Sequence, residues 1–308
     1  MITKFKSLPQ LLNHFKDEKT CIEYLEKQRW SGKPVCPHCK ASNVPYKIEG
    51  GKRYKCDNNK CNKKFSITVG TIFENSKIKL SLWYAAIYLC TAHKKGISSC
   101  QLARDLGVGQ KAAWFMLHRI RQIMKENNPT MLTGTVQADE TFVGGKNKNR
   151  HANKKVENSQ GRSFKDKTPV FGLLSNGQVN TQVVPDTKAS TLKPIIKAMV
   201  EQGSIVVTDE WVAYSGLNSN YQHEVLKHNE GQFINSHNFH NNSVEGFWSL
   251  LKRGIFGIYH SVSPKHLNRY CDEFQYRYNT RKVIDTDRFS LSLTNTEHRL
   301  TYNNLIQK

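Results

Sequence analysis

Four cysteines constrain this 308-residue chain more than any other feature: Cys36 and Cys39 in CPHC, then, sixteen residues on, Cys56 and Cys61 in KCDNNKCNKKF. Zinc takes four soft ligands in a tetrahedron, and two tight turns that each present a pair of thiols supply that geometry. The Pro and His inside the first pair suit such a turn, as does the Asn- and Lys-rich second one. Disulfides or unrelated buried cysteines are the competing interpretation. The N-terminus MITKFKSLPQLL has no apolar export core and no cleavage site, which weakens the disulfide alternative. The spacing therefore predicts structural Zn²⁺ on Cys36, Cys39, Cys56 and Cys61. A site with four thiolates leaves no open position, so this metal would hold the fold rather than do chemistry. It could contribute on the order of 10–16 kcal/mol to so small a module. Cys21, Cys90, Cys100 and Cys271 are expected in the core, on apolar helical faces.

Around that ribbon, expected over residues 31–75, the pattern is helical. Residues 8–30 read as one amphipathic helix, with Leu11, Leu12, Phe15, Cys21, Leu25 and Trp30 as its apolar side, and give an N-terminal element over 1–30. Helical periodicity returns at about Leu80 and is broken at Asn127, Asn128 and Pro129, so a helical region is expected over 76–130. Within it, residues 96–125 have the cadence of a helix-turn-helix. Ser98 and Ser99 offer a hydroxyl cap, Leu106-Gly107-Val108 makes the turn, and Gln110 to Met124 would be the recognition helix. Lys111, His118, Arg119 and Arg121 are its candidate DNA contacts; an ordinary helical hairpin is the alternative.

The charge distribution agrees with a polyanionic partner. The chain carries 46 Lys and Arg against 25 Asp and Glu, a net charge of +21. Residues 1–130 hold 24 basic and nine acidic side chains, whereas 131–308 hold 22 and 16. Eight of those 22 lie in the segment 146–167, which has only two acids and reads as a flexible, phosphate-contacting loop. Lys146, Lys148, Arg150, Lys154 and Lys155 are its candidate DNA contacts. A general solubility effect has no reason to concentrate in one third and one loop; a bound nucleic acid does. A hydrophobic fraction of 38% excludes wholesale disorder, and no apolar run approaches the roughly 20 residues a bilayer requires. A cytoplasmic, nucleoid-associated protein of bacterial type, without membrane contact, is expected.

Beyond residue 130 the pattern changes to strands and helices. GTVQADETFVGG, TPVFGLLSNG and NTQVVP read as three strands, Ala189–Gln202 as a helix, SIVVTDEW as a fourth strand, and helices are expected from about Asn242 to Leu251 and from Pro264 to Arg281. This β-β-β-α-β-α order is that of an RNase H-like fold. Asp139 and Asp209 lie in strands and Glu245 in a helix, with 35 residues between the last two. Such carboxylates can converge on a pair of hard cations, Mg²⁺ or Mn²⁺ rather than zinc, which activate a water or a 3′-hydroxyl for in-line displacement at phosphorus. Lys252, seven residues after Glu245, falls within about 20° on the same helical face, placing it beside a DNA backbone. Strand alternation turns Glu140 and Glu210 to the opposite face from their neighbours. Trp248 is expected in the core, and His237, His240 and His260 as hydrogen-bonded structural residues. Tyr276, Arg277, Tyr278 and Arg281 would either line a DNA channel or divide one helix into a buried and a wet face.

These residues carry a resemblance. The chain resembles insertion-sequence DDE transposases related to the Merlin elements, which join a zinc ribbon to an RNase H-like catalytic domain. The likeness runs through CIEYLEKQRW, CPHC, FSITVGTIFENSKIKLSLWYAAIYL, KGISSCQLARDLGVGQKAAWFMLHRIR, ADETFVGG and VVTDEWVAYSGL. It closes on HNNSVEGFWSLLKRGIFGIYHSVSPKHLNRYCDEFQYRYNTR, its most specific part. The resemblance implies Asp139, Asp209 and Glu245 as the catalytic triad, followed by Lys252, in a domain over 131–308. The third position could also fall on Asn242; Glu245 is chosen for its spacing to Lys252 and its carboxylate, with Asn242 expected to cap the helix. The implied activity is hydrolysis at the element's terminal inverted repeats and strand transfer into double-stranded target DNA, by a homodimer or higher oligomer. A non-catalytic DNA-binding regulator and a plain metal-dependent nuclease are the competing readings.

Overall fold

The computed structural model describes residues 5–307 apart from 43–44, 127–128, 146, 150, 158–162 and 298, and apart from the side chains of 154 and 228. The chain forms two units, Met1–Lys125 with Lys282–Lys308, and Glu126–Arg281.

The first unit opens with two helices where one was expected, α1 (Leu8–His14) and α2 (Glu18–Trp30). Asp17 ends the continuity: its carboxylate accepts from the Thr20 amide at 2.8 Å and hydroxyl at 2.7 Å, a helix N-cap. Three short antiparallel strands follow, β1 (Pro45–Ile48), β2 (Arg53–Cys56) and β3 (Lys64–Phe65), ordered β1-β2-β3. Tyr54 and Phe65 stack at 5.6 Å, and Trp30 meets Tyr54 edge-on at 5.0 Å, so this small sheet packs on α2 through aromatic rings. Helix α3 (Leu80–Ala92) is apolar on nearly every side and buried along its length, as a central helix must be. Helices α4 (Ser99–Leu106) and α5 (Gln110–Met124) form the helical hairpin. The Ser98 hydroxyl caps α4 by accepting from the Gln101 amide at 3.1 Å. Gly107, at φ 65°, closes α4 in the left-handed region that favours glycine.

The second unit contains β4 (Thr135–Val143), β5 (Thr168–Ser175), β6 (Gln178–Val183), α6 (Ala189–Met199), β7 (Ile205–Asp209), β8 (Gln222–Leu226), α7 (Asn242–Gly254) and α8 (Pro264–Asn279). Its sheet runs β6-β5-β4-β7-β8; the two pairings among β4, β5 and β6 are antiparallel, and β7 and β8 join in parallel. Three antiparallel strands, a crossover helix and two parallel strands make an RNase H-like sheet. Strand β8 was not anticipated. Its sequence QHEVL is polar and it occupies an edge, so it lacks the apolar signature of the inner strands.

Alternation along β4 decides what each face carries. Val136 and Ala138 pack with Phe171, Leu173, Val206, Leu192 and Ile196 on the α6 side. Val143 packs on the other side, with Val170, Leu174, Val244, Phe247, Trp248 and Leu251 of α7 and Leu267, Cys271 and Phe274 of α8. Asp139 therefore faces α7, and Glu140 faces the α6 layer, where it accepts from the Tyr214 hydroxyl at 2.5 Å.

Residues 282–308 return to the first unit through α9 (Asp285–Thr294) and α10 (Tyr302–Ile306), so the expected 131–308 domain is too long at its end. Phe289 explains the return, since it is buried against Tyr84 at 5.7 Å and Phe5 at 6.0 Å. Among the described residues no helix is long and apolar enough to cross a membrane.

Candidate zinc ribbon and carboxylate site

Each cysteine pair sits in a turn closed by its own backbone. The Cys36 amide donates to the Ala41 carbonyl at 2.9 Å and the Lys40 amide to the Cys36 carbonyl at 2.9 Å. In the second turn the Cys56 amide donates to Lys63 at 3.0 Å and the Cys61 amide to Asn58 at 2.8 Å. The residue after the second cysteine of each pair is left-handed, Lys40 at φ 61° and Asn62 at φ 46°. Two similar knuckles thus face one another, and all four sulfurs lie within 4.8 Å. Cys36 and Cys61 are 3.8 Å apart and Cys39 and Cys56 3.6 Å. Zn–S bonds of about 2.3 Å in a tetrahedron require sulfurs about 3.8 Å apart, so the four thiols fit that ion. The Ala41 backbone amide draws the Cys39 thiol down to about 7, whereas burial pushes Cys56 up to about 12. A bound cation would bring both into the thiolate form. Cys21, Cys90 and Cys271 are buried as expected, but Cys100, on the outer face of α4, is exposed.

In the second unit two of the carboxylates stand at matching register on neighbouring strands, and the charge of the third reaches Asp139. β4 and β7 pair in parallel from Thr135 with Ile205 to Gln137 with Val207, and two more steps of that register reach Asp139 and Asp209. Asp139 is raised to about 6, by burial first, with the charges of Asp209 and Glu245 adding to it. The Glu140 backbone amide and the Trp248 indole pull the other way. Glu245 lies in the first turn of α7, which favours an anion, and its amide donates to the Asn241 carbonyl at 3.1 Å. Asn241, not Asn242, occupies the N-cap position of this helix, and its side chain makes no capping bond. Gln137 does that work from the sheet: its Oε1 accepts from the Val244 amide at 3.0 Å and its Nε2 lies 3.4 Å from His240 Nδ1. Lys252 has its pKa lowered by burial, opposed by the charge of Asp139 and reinforced by Lys167, so it faces the same site. An open pocket of about 520 Å³ adjoins Asp209, lined by Trp211, Tyr214, His223 and Val225 among others.

Comparison with known proteins assigns both parts of the chain to transposase domains. Residues 131–279 match the family model of the ISXO2-like transposase domain, and residues 16–64 match that of the transposase zinc-ribbon domain. An uncharacterized transposase-like protein of Haemophilus influenzae is 32% identical over 107 residues, 34% of this chain and 85% of the relative. The chain belongs to the ISXO2-like insertion-sequence transposases. An uncharacterized protein of the transposable element ISH50 in Halobacterium salinarum is 27% identical over 277 residues, 85% of this transposase and 91% of the relative. Two solved structures of the Mos1 transposase, a pre-cleavage transpososome and a paired-end complex with the left transposon end, are 14% and 15% identical. They cover 66% and 69% of this chain and 75% and 78% of their own, with TM-scores of 0.24 and 0.21, too loose to guide the placement of any residue.

Three of the expected DNA contacts of the transposase, His118, Arg119 and Arg121, are corrected. Arg119 and Arg121 are 6% and 1% exposed. Arg119 donates to the backbone carbonyls of Leu300, Ile72 and Glu74 at 3.0, 2.7 and 3.0 Å, tying loops together inside the first unit. His118 is likewise buried, because the second half of α5 is enclosed on every side. Only the N-terminal end of the helix remains open, with Lys111 exposed and its ammonium 5.3 Å from the Tyr302 ring. In the 146–167 segment Lys148 and Lys155 are exposed, while Lys146, Arg150 and the Lys154 side chain lie outside the described residues. Part of that segment is more ordered than expected, since the Asn147 side chain both accepts from and donates to the Val156 backbone, at 3.0 and 2.7 Å. Arg277 is buried in an ion pair with Glu273, and Arg281, just beyond α8, is exposed and donates to the Gly177 carbonyl at 2.7 Å. His237 faces Glu224 at 3.3 Å. Gln137 and the contacts of Trp248 were missed, for neither has a local sequence signal.

Proposed function

We propose that this transposase binds the terminal inverted repeats of its element, hydrolyses phosphodiesters there, and joins the freed 3′ ends to target DNA. The convergence of Asp139, Asp209 and Glu245 on one face of the sheet, with Lys252 beside them, supports the reading. Their carboxylates would hold two Mg²⁺ or Mn²⁺ ions, which when bound polarise a phosphoryl oxygen and lower the pKa of a water or 3′-hydroxyl. The acidic residues are matched to that task by position: the middle of β4 and the end of β7 supply rigid oxygens, and the first turn of α7 supplies the third. Lys252 balances negative charge on the scissile phosphate. In strand transfer the 3′-oxygen forms a new bond to a target phosphorus as the opposite P–O bond breaks, and the proton of the 3′-hydroxyl passes to solvent. The four cysteines would hold structural Zn²⁺, and the open end of α5 with Lys111, together with Lys148 and Lys155, would contact DNA. The synapsis of two ends calls for a dimer or larger assembly.

The test is Asp209→Asn. It is expected to abolish Mg²⁺- or Mn²⁺-dependent nicking of end-bearing DNA while leaving end binding in a gel-shift assay intact. Nicking by the variant at the wild-type rate would sink the assignment. Pre-cut ends in a strand-transfer assay separate a transposase of this mechanism from a plain nuclease.

A further inference from the structure

Trp248 lies between Glu245 and Lys252 on α7 and is 4% exposed, as a core residue would be. Its surroundings are more specific than packing requires. On β5 the residue directly opposite Asp139 is Gly172. A β-carbon there would come within 2.5 and 2.6 Å of the indole atoms Cζ2 and Cη2. The glycine therefore opens a slot beside Asp139, and the indole fills it. In that slot its Nε1 donates to Asp139 Oδ2 at 2.9 Å. A buried indole N–H needs an acceptor, and this one is met by a carboxylate of the candidate metal site rather than by a backbone carbonyl. The same helix is tied to the same strand through Gln137 and the Val244 amide at 3.0 Å. Two bonds thus set the position of α7 along β4, and with it the position of Glu245 relative to Asp139.

We propose that Trp248 is a positioning residue: its indole N–H fixes the Asp139 carboxylate in one orientation, so that a divalent cation meets ligands that are already aimed. The inference rests on the reading of Asp139, Asp209 and Glu245 as metal ligands. Groups that orient a ligand from behind typically govern metal affinity by about 10- to 100-fold. A purely structural tryptophan would act on stability alone.

The experiment compares the full-length, zinc-loaded protein with Trp248→Phe, which keeps a ring in the slot and removes the N–H, and with Gly172→Ala, which keeps the N–H and displaces the ring. Mn²⁺ alone is the probe, titrated without DNA and followed by the electron paramagnetic resonance of the free ion, beside a thermal melt. Trp248→Phe is expected to melt near the wild type and to bind Mn²⁺ about 10- to 100-fold more weakly. The half-saturating Mn²⁺ for nicking should rise by the same factor, with a smaller change in rate at saturation. Gly172→Ala should weaken Mn²⁺ binding as well, and it decides the matter if Trp248→Phe does not fold. Wild-type Mn²⁺ affinity in a folded variant overturns the inference. Asp139→Asn separates the two levels. If it too binds Mn²⁺ like the wild type, the carboxylate reading itself falls; if it alone loses binding, only the role of Trp248 falls.

Discussion

The two candidate metal sites of this transposase are built in opposite ways. The ribbon draws its four thiols from 26 consecutive residues, two knuckles that each close on their own backbone. The carboxylates are spread over 107 residues on two strands and a helix. In the first the ligands are local and the surrounding structure is slight, so the ion would supply the cohesion. In the second the sheet and α7 bury a carboxylate near two others, and burial first, then their charges, raise Asp139. One metal would make its site; the other would be received by a site already made. The charge follows the same division: the first unit has 28 basic and 11 acidic residues, a net of +17, and the second 18 and 14, a net of +4. The basic surplus lies with the unit that carries the ribbon and helical hairpin, and the carboxylate unit is close to neutral.

The largest effect that could break this contrast is zinc removal. Cys36→Ser, or zinc chelation, should lose on the order of 10–16 kcal/mol of apparent metal-linked stability and unfold the ribbon. Amide hydrogen exchange over 45–56 would show it, whereas Mg²⁺ withdrawal should leave the exchange of β4 and β7 unchanged. Ribbon amides that stay protected without zinc would undo the comparison. Next comes pH. Asp139 titrates near 6 when folded and near 3.8 unfolded, so the folded state holds the extra proton between those values. Its ionisation therefore costs stability as pH rises through that window, on the order of 3 kcal/mol in metal-free buffer. Asp139→Asn should flatten the dependence of the melting temperature from pH 4 to 6; an unchanged slope would mean the carboxylate is not strained by its fold.

A smaller effect concerns how tightly the receiving helix is seated. At Gly254 a β-carbon would collide with the Phe274 ring of α8, so Gly254→Ala should cost about 1–3 kcal/mol in denaturant titrations. At Gly246 the same change meets nothing within 4 Å, and should be neutral or stabilising by up to about 1 kcal/mol. Equal effects at the two would show a loosely packed helix. Smallest is the loss of one phosphate contact. Lys111→Ala should lower the slope of log affinity against log salt by about 0.9, while Arg119→Met should lower stability and leave that slope alone. A salt effect at Arg119 would restore it to the DNA surface.

Legibility tracked distance along the chain. The knuckles, the Ser98 cap and the Gly107 turn each depend on a few adjacent residues, and each could be read in order. The opposite faces of Asp139 and Glu140 were legible because strand alternation assigns them. The burial of Arg119 was not, since its partners are the carbonyls of Ile72, Glu74 and Leu300, which no periodicity in α5 announces. Strand β8 escaped because an edge strand need not be apolar. The return of residues 282–308 escaped because Phe289 finds Tyr84 only after folding.

By itself, then, the order of residues determined a four-thiol ribbon, a helical hairpin and the opposite faces on which Asp139 and Glu140 stand. Only the tertiary structure decided which basic residues stay in water, where the last helices belong, and that Gly172 makes room for Trp248 beside Asp139. The physical reason is the range of the forces involved. Turns, caps and periodicity act over a few residues, whereas burial and the search of each buried polar group for a partner are settled by whatever the whole chain brings near.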